Sequence, residues 1–265
     1  MTASSPLNPS ALVLAGGPVG LLLVHGFTGS PTEMSRIAPA LQQQGLTVSA
    51  PLLPGHGTTP SELNRQRMED WLAHVRAALA DLELRCRTVF IGGLSLGSLL
   101  ALHVAAEHPQ VAGVVVYSPP LLITDRRSYL VPFIKHLVRE LPKPPDYFTD
   151  PTAAEQLWSY SIYPVAATHQ VLRLLGQVKR RLPQVTCPAL VVASRIDKSL
   201  HPYSAQYTYD RLGSGKKELI WLENSGHVIT LDSEWKRVAD ETVRFVRLQG
   251  PQKANDTPAP PSHEG

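Results

Sequence analysis

The 265-residue chain carries 25 Lys and Arg against 22 Asp and Glu, a net charge of +3, with 43% hydrophobic residues. That composition excludes disorder as the global state and leaves room for one large domain or two small ones. The basic runs Lys179-Arg180-Arg181 and Arg126-Arg127 are too short for a nucleic-acid surface, and the two cysteines, Cys86 and Cys187, make neither a disulfide framework nor a metal site.

From the N-terminus, the apolar stretch from Ala11 to Val24 lacks a basic flank and is broken by Gly16-Gly17-Pro18, so it reads as two short strands and not as a signal peptide. No segment is long enough to span a bilayer, and the expected location is cytoplasmic. "VGLLLVHG" (19–26) is a strand ending in a glycine turn, followed by a helix from Pro31, with Ser30 as N-cap and Gly45 as its stop. "LTVSAP" is a strand, "LLPGHGTTP" a loop, and Met68 to Leu84 a helix. "TVFIGG" is a strand, Leu96 to Glu107 a helix ended by Pro109, and "VAGVVVYSP" a buried strand.

The rhythm breaks after Pro119. Residues 120–183 hold proline clusters, aromatics and short apolar patches with no clear strand. Alternation resumes with the strand "PALVVAS", a helix from Pro202 to Leu212, the strand "KELIWLE" and a helix from Ser233 to Leu248. The division is a core of 11–119 and 184–248, an insertion over 120–183, and a polar, Pro-rich disordered tail over 249–265. Apolar strands alternating with helices imply an α/β fold with a mostly parallel sheet covered on both faces. Such sheets place their sites at the carboxyl ends of strands, where an insertion can fold over as a cap.

One segment carries chemistry. Gly93-Leu94-Ser95-Leu96-Gly97 fits G-x-S-x-G, and it sits between a strand and a helix. In that setting the glycines permit a sharp turn that pushes the serine into the open, and the amide of Leu96 faces any oxyanion that forms. A serine hydroxyl needs a base, and the base needs an orienting acid. Asp197 lies just past a strand, 102 residues beyond Ser95, and His227 lies in a loop past the next strand, 30 residues further on. The order nucleophile, acid, base therefore assigns Ser95, Asp197 and His227. His201 is the competing base, but its loop follows the acid's strand. Asp232 follows His227, the wrong order for the acid, and Glu223 is placed on its strand. A second oxyanion donor is expected from the loop after the first long strand, at the Phe27 amide. His25 and His56 read as structural hydrogen-bonders.

With these residues in place, the chain resembles the α/β-hydrolase superfamily, and within it the small thermostable bacterial carboxylesterases and bacterial monoacylglycerol lipases. The carrying stretches are "GLLLVHGFTGSPTEM", "PLLPGHGTTPSEL", "EDWL", "GGLSLGS" and "GSGKKELIWLENSGHVITLD", within about residues 19 to 248. The resemblance implies an α/β-hydrolase fold with a cap after the strand that follows the nucleophile helix. It also implies a cofactor-free serine esterase of short- to medium-chain acyl esters, monoacylglycerols included. Carried over residue by residue, it again gives Ser95, Asp197, His227 and the amides of Phe27 and Leu96. Two positions depart from the family's pattern: Leu96 stands where methionine is frequent, and the acid loop reads "DKSLHP" where relatives tend to have D-x-V-V-P.

The insertion is expected to supply an apolar groove for an uncharged acyl chain, with Ile123, Ile162, Tyr163 and Val165 as lining candidates. The expected partner is a small acyl ester, with no nucleic acid and no stable membrane anchor. Thioesterase, lactonase or perhydrolase activity on the same triad is the alternative chemistry. A non-catalytic binding protein of the same fold is the alternative class.

Overall fold

A computed structural model describes residues 7–123, 125, 128 and 130–250. The Arg126-Arg127 pair and the expected tail from residue 251 lie outside the described residues. Before the central turn, the chain forms β1 (Leu12–Leu14), β2 (Val19–Val24), a 3-10 turn at Pro31–Met34, α1 (Ile37–Gln43), β3 (Leu46–Ala50), α2 (Pro60–Arg65), α3 (Met68–Arg85) and β4 (Thr88–Leu94). It continues through α4 (Leu96–Glu107), β5 (Gly113–Tyr117), α5 (Val131–Ile134), β6 (Glu140–Pro142), α6 (Pro151–Ala154) and β7 (Ile162–Pro164). The last elements are α7 (Val165–Arg181), β8 (Ala189–Ser194), α8 (Ser204–Arg211), β9 (Lys217–Leu222) and α9 (Trp235–Gln249).

The main sheet has seven strands in the order β1-β3-β2-β4-β5-β8-β9. All neighbours run parallel except the edge pair β1–β3. Alternation along each strand sorts the side chains onto two faces. Leu22, Val24, Ile91, Val114, Val116 and Val191 pack with α3, α4 and α7, while Leu21, Leu23, Phe90, Val115, Tyr117 and Val192 pack with α1 and α9. Both faces being covered explains why these strands read as unbroken apolar runs.

Two elements and one residue of the core differ from the sequence reading. The helix expected to start at Pro31 is two pieces, and Pro39 supplies the reason. A continuous helix would place Pro39 in its interior, where it cannot donate and clashes with the preceding turn. Restarting at Ile37 puts Pro39 in the first turn, where amides have no intrahelical partner. α2 was not expected, although Thr59-Pro60-Ser61-Glu62 has an N-terminus pattern: the Thr59 hydroxyl accepts from the Glu62 amide at 3.2 Å, and Pro60 occupies the first turn. Glu223 lies one residue past β9 and pairs with Arg195 at 3.0 Å.

Within residues 120–183 the structure forms a small antiparallel sheet, β6–β7, and the 17-residue helix α7. Val171, Leu174, Leu175 and Val178 lie on one face of α7 at helical spacing and join the same apolar cluster as α3 and α4. His103 of α4 is buried beneath it, with Nε2 3.1 Å from Gln177 Oε1. α7 is therefore a layer of the core as well as part of the insertion. Cys86 and Cys187 are buried thiols, apolar filler in effect. No helix among the described residues is long and apolar enough to cross a membrane.

Leu23 is fully buried in β2 between two parallel neighbours. Leu23→Ala is expected to cost about 2–5 kcal/mol, read as a lower urea midpoint with an unchanged slope.

Candidate active site

β4 ends at Leu94 and α4 begins at Leu96, so Ser95 alone makes the turn, with φ 54° and ψ −113°. A side chain in this region is strained, and the surrounding backbone holds it there. The Ser95 amide donates to the Tyr117 carbonyl at 3.0 Å, and the Ser95 carbonyl accepts from the Ser98 hydroxyl at 2.6 Å. The two glycines of the motif are required by space. A Cβ on Gly97 would lie 1.9 Å from the Val24 carbonyl oxygen, and one on Gly93 would lie 2.6 Å from that same oxygen.

Asp197 and His227 follow β8 and β9 on adjacent loops. The His227 Nδ1 lies 2.7 Å from Asp197 Oδ2, which assigns the proton to Nδ1 and leaves Nε2 free to accept. Asp197 Oδ1 accepts from the Ser199 amide at 2.7 Å. Burial alone would raise the Asp197 pKa, but the neighbouring imidazole and its hydrogen bond, with backbone amides, bring it below the ordinary carboxylate value. Burial alone would lower His227; the Asp197 charge and hydrogen bond, helped by Asp146 and Glu33, outweigh it and hold the imidazole above the ordinary histidine value.

The end of β5 organises both halves. Tyr117 takes the Ser95 amide, and the next residue, Ser118 at φ 47°, donates its hydroxyl to the His227 carbonyl at 2.9 Å. Beyond His227, the buried Asp232 carboxylate accepts from the amides of Gly226 at 2.5 Å, Asp150 at 2.8 Å and Ser233 at 2.8 Å, and from Thr149. Asp232 thus joins the histidine loop to the insertion. His201 is exposed, and its Nδ1 accepts from the Tyr203 amide at 3.2 Å. Lys198 places its ammonium 4.1 Å from the Tyr147 ring centre.

The loop after β2 lies against the serine: a Cβ on Gly26 would sit 3.5 Å from the Ser95 Cβ. Among the described residues no protein acceptor takes the amide proton of Phe27 or Leu96. Thr28, at φ 66°, completes the turn, and its carbonyl accepts from the Tyr160 amide at 2.9 Å. His25 props the loop from below, with Nδ1 2.9 Å from the Gly26 carbonyl and Nε2 accepting from the Leu53 amide at 3.0 Å. Burial drives its pKa down to about 4, so His25 is a neutral strut. The buried His56 ring packs edge-on to His25 and Phe27.

Of the four lining candidates, Tyr163 stacks parallel to Phe27 with ring centres 6.2 Å apart. Ile162 precedes it on β7, Ile123 packs against the α4 cluster, and Val165 is fully enclosed at the start of α7. Three polar residues near the site were missed in the sequence: Glu33, whose carboxylate accepts from the Gly26 amide at 2.5 Å, and the insertion pair Lys143–Asp146 at 2.9 Å. Nothing in their local sequence marks them, since their place depends on the insertion and the 3-10 turn meeting over β2. Among the described residues no group of three or more His, Cys, Asp or Glu side chains is arranged to hold a metal ion.

Comparison with known proteins agrees with this fold. The model of the alpha/beta hydrolase family matches residues 21–241. A thermostable monoacylglycerol lipase of Bacillus sp. (strain H-257) is 35% identical over 229 residues, covering 86% of this chain and 90% of that protein. A carboxylesterase of Bacillus subtilis (strain 168) is 27% identical over 244 residues, covering 91% and 97%. A solved structure from a study of the metagenome-derived lipolytic enzymes LipS and LipT superposes with a TM-score of 0.87 at 34% identity, covering 91% and 98%.

Asp232→Ala would leave several buried amides without an acceptor. It is expected to destabilise the fold by about 3 kcal/mol or more, measured by urea unfolding, whereas Asp210→Ala at the exposed surface should change it by less than about 0.5 kcal/mol.

Proposed function

This chain belongs to the α/β hydrolase family and is an enzyme of it; on that premise we propose that it is a serine esterase cleaving short- to medium-chain carboxylic esters, monoacylglycerols among them. The observation that carries the reading is the pairing of His227 with Asp197 at 2.7 Å, while the same β5 terminus secures both His227 and the strained Ser95.

In this reading the Ser95 Oγ attacks the ester carbonyl carbon as His227 Nε2 takes its proton. Asp197 keeps the imidazole in the Nδ1–H tautomer and stabilises the imidazolium. The carbonyl oxygen gains the negative charge and is met by the Phe27 and Leu96 amides, which have no acceptor among the described residues to give up. The tetrahedral intermediate expels the alcohol oxygen, which receives the proton from His227, and an acyl group remains on Ser95. Water, deprotonated by His227, then attacks the acyl carbon; the carboxylic acid leaves and Ser95 regains its proton.

The acyl chain is assigned to the apolar side of the site, lined by Tyr163, Ile162 and Ile123; Val165 has no exposed surface and packs behind them. Tyr163 on Phe27 fixes one wall, since the two rings stack and Phe27 also carries an oxyanion donor. The relatives named for monoacylglycerol and carboxylic ester hydrolysis support this substrate class.

Ser95→Ala is expected to remove p-nitrophenyl ester turnover and fluorophosphonate labelling while the protein stays folded. Residual activity within about tenfold of the parent would refute the nucleophile. His227→Ala should be far more damaging than His201→Ala, and the reverse order would identify a different base. Because His227 is held above the ordinary histidine value, kcat/KM should fall with decreasing pH on a limb whose apparent pKa exceeds about 6.5. A limb below that value would show that the carboxylates around His227 do not act on it.

A further inference from the structure

Glu33 is the one acidic side chain of the 3-10 turn Pro31–Met34, and it points inward. Its carboxylate occupies the inside of the loop from Gly26 to Gly29. Oε2 accepts the Gly26 amide proton at 2.5 Å. A Cβ on Gly29 would lie 1.9 Å from Oε1, so only glycine leaves the carboxylate room there. A Cβ on Gly26 would be 3.2 Å from both carboxylate oxygens and 3.5 Å from the Ser95 Cβ. The Glu33 carboxylate and the serine therefore both border the space where a Gly26 side chain would stand. The Glu33 carbonyl accepts from the Thr230 hydroxyl at 2.6 Å, which ties the turn to the loop of His227.

A buried carboxylate in such a place needs a reason, because an apolar side chain would fill the space without the desolvation cost. Between Gly26 and Gly29 sit Phe27, with its unshared amide, and Thr28 at positive φ. Without an acceptor at Gly26, nothing else among the described residues holds that amide, and the turn keeps only the contacts made through the Gly26 and Thr28 carbonyls and the Thr28 hydroxyl.

We propose that Glu33 is a positioning residue of the esterase reaction: by clamping the Gly26 amide it holds the 26–29 turn so that the Phe27 amide faces the oxyanion formed at Ser95. This rests on the reading of Ser95 as nucleophile and of Phe27 as oxyanion donor. Glu33 also acts on the base through space. The charged and titratable groups that face it are His227 on the loop after β9 and the Lys143–Asp146 pair of the insertion. Burial pushes the Glu33 carboxyl up to about 7; the Gly26 amide and Lys143 pull it down, Asp146 pushes it up and His227 pulls it down. By reciprocity, the Glu33 carboxylate favours protonated His227. Removing its charge lets His227 lose its proton at lower pH.

The test compares the parent, Glu33→Ala and Glu33→Gln with p-nitrophenyl butyrate across pH, alongside fluorophosphonate labelling of Ser95. Glu33→Ala is expected to lower kcat by about tenfold to a hundredfold with KM within about twofold, because the oxyanion contact is made in the transition state. Glu33→Gln, whose amide oxygen can still accept from Gly26, should keep kcat nearer the parent than Glu33→Ala does. Its acid limb should move to lower pH, which a role in folding alone would not produce. Glu33→Ala within about twofold of the parent in kcat, or an unmoved acid limb in Glu33→Gln, overturns the inference while Ser95 still labels. If Glu33→Ala does not fold, Glu33→Asp, whose carboxylate is one methylene shorter, takes its place with the same expected loss of kcat and the same overturning result. A parent that neither labels at Ser95 nor turns over ester overturns the esterase reading, and this inference with it.

Discussion

At Ser95 the chain passes from strand to helix through a gap that has no space for a methyl group on either flanking glycine. The Val24 carbonyl stands on one side, and the Gly97 backbone crowds Gly93 on the other. The serine takes the positive φ between them, and its strain is offset by the Tyr117 and Ser98 hydrogen bonds and by the burial of α4 against the sheet. The rest of the site is placed relative to this turn. β2 supplies the carbonyl that crowds the glycines and then the 26–29 loop; β5 supplies the acceptor for Ser95 and the donor for His227. A shift of either strand by one residue would disconnect them, because alternate residues face opposite sides of the sheet.

The electrostatics are arranged around one imidazole. Asp197 bonds it directly, and Asp146 and Glu33 add negative charge from the insertion and from beneath the β2 loop. Charge enters a buried site only where it is paired. Asp197 is compensated by His227 and by backbone amides, Asp146 by Lys143, and Glu33 by the Gly26 amide. Lys143 also donates to Ser159 at 2.8 Å, and Ser159 lies 3.3 Å from the Thr28 hydroxyl. The insertion is in this way wired to the loop that borders the serine. Arg36 extends the connection at the other end, donating to Asp150 at 2.5 Å and to the Leu231 carbonyl at 2.7 Å.

Much of this was legible along the chain. Parallel strands buried on both faces write themselves as apolar runs, and the elbow writes itself as two glycines around a serine, because those residue types are dictated by local backbone geometry. Asp197 and His227 were found by chain order, since each follows a strand whose carboxyl end opens on the same edge. Other elements were hidden by competing local signals. Prolines through 120–183 masked the amphipathic spacing of α7, and Pro39 divided a helix that the flanking residues describe as continuous.

The sheet, the strained turn at Ser95 and the loops that carry Asp197 and His227 are written in the chain itself. These rest on steric and solvation rules acting over a few residues. Which polar groups share the buried space around them depends on how the whole chain packs. Glu33, Asp146 and Lys143 look like ordinary surface residues in the sequence, and Asp232 reads there only as a rival for the acid in the wrong chain order. Their place comes from segments distant in the chain: the Glu33 carbonyl meets the Thr230 hydroxyl, Asp232 meets the Thr149 and Asp150 amides, and a buried charge takes its meaning from the partners it meets there.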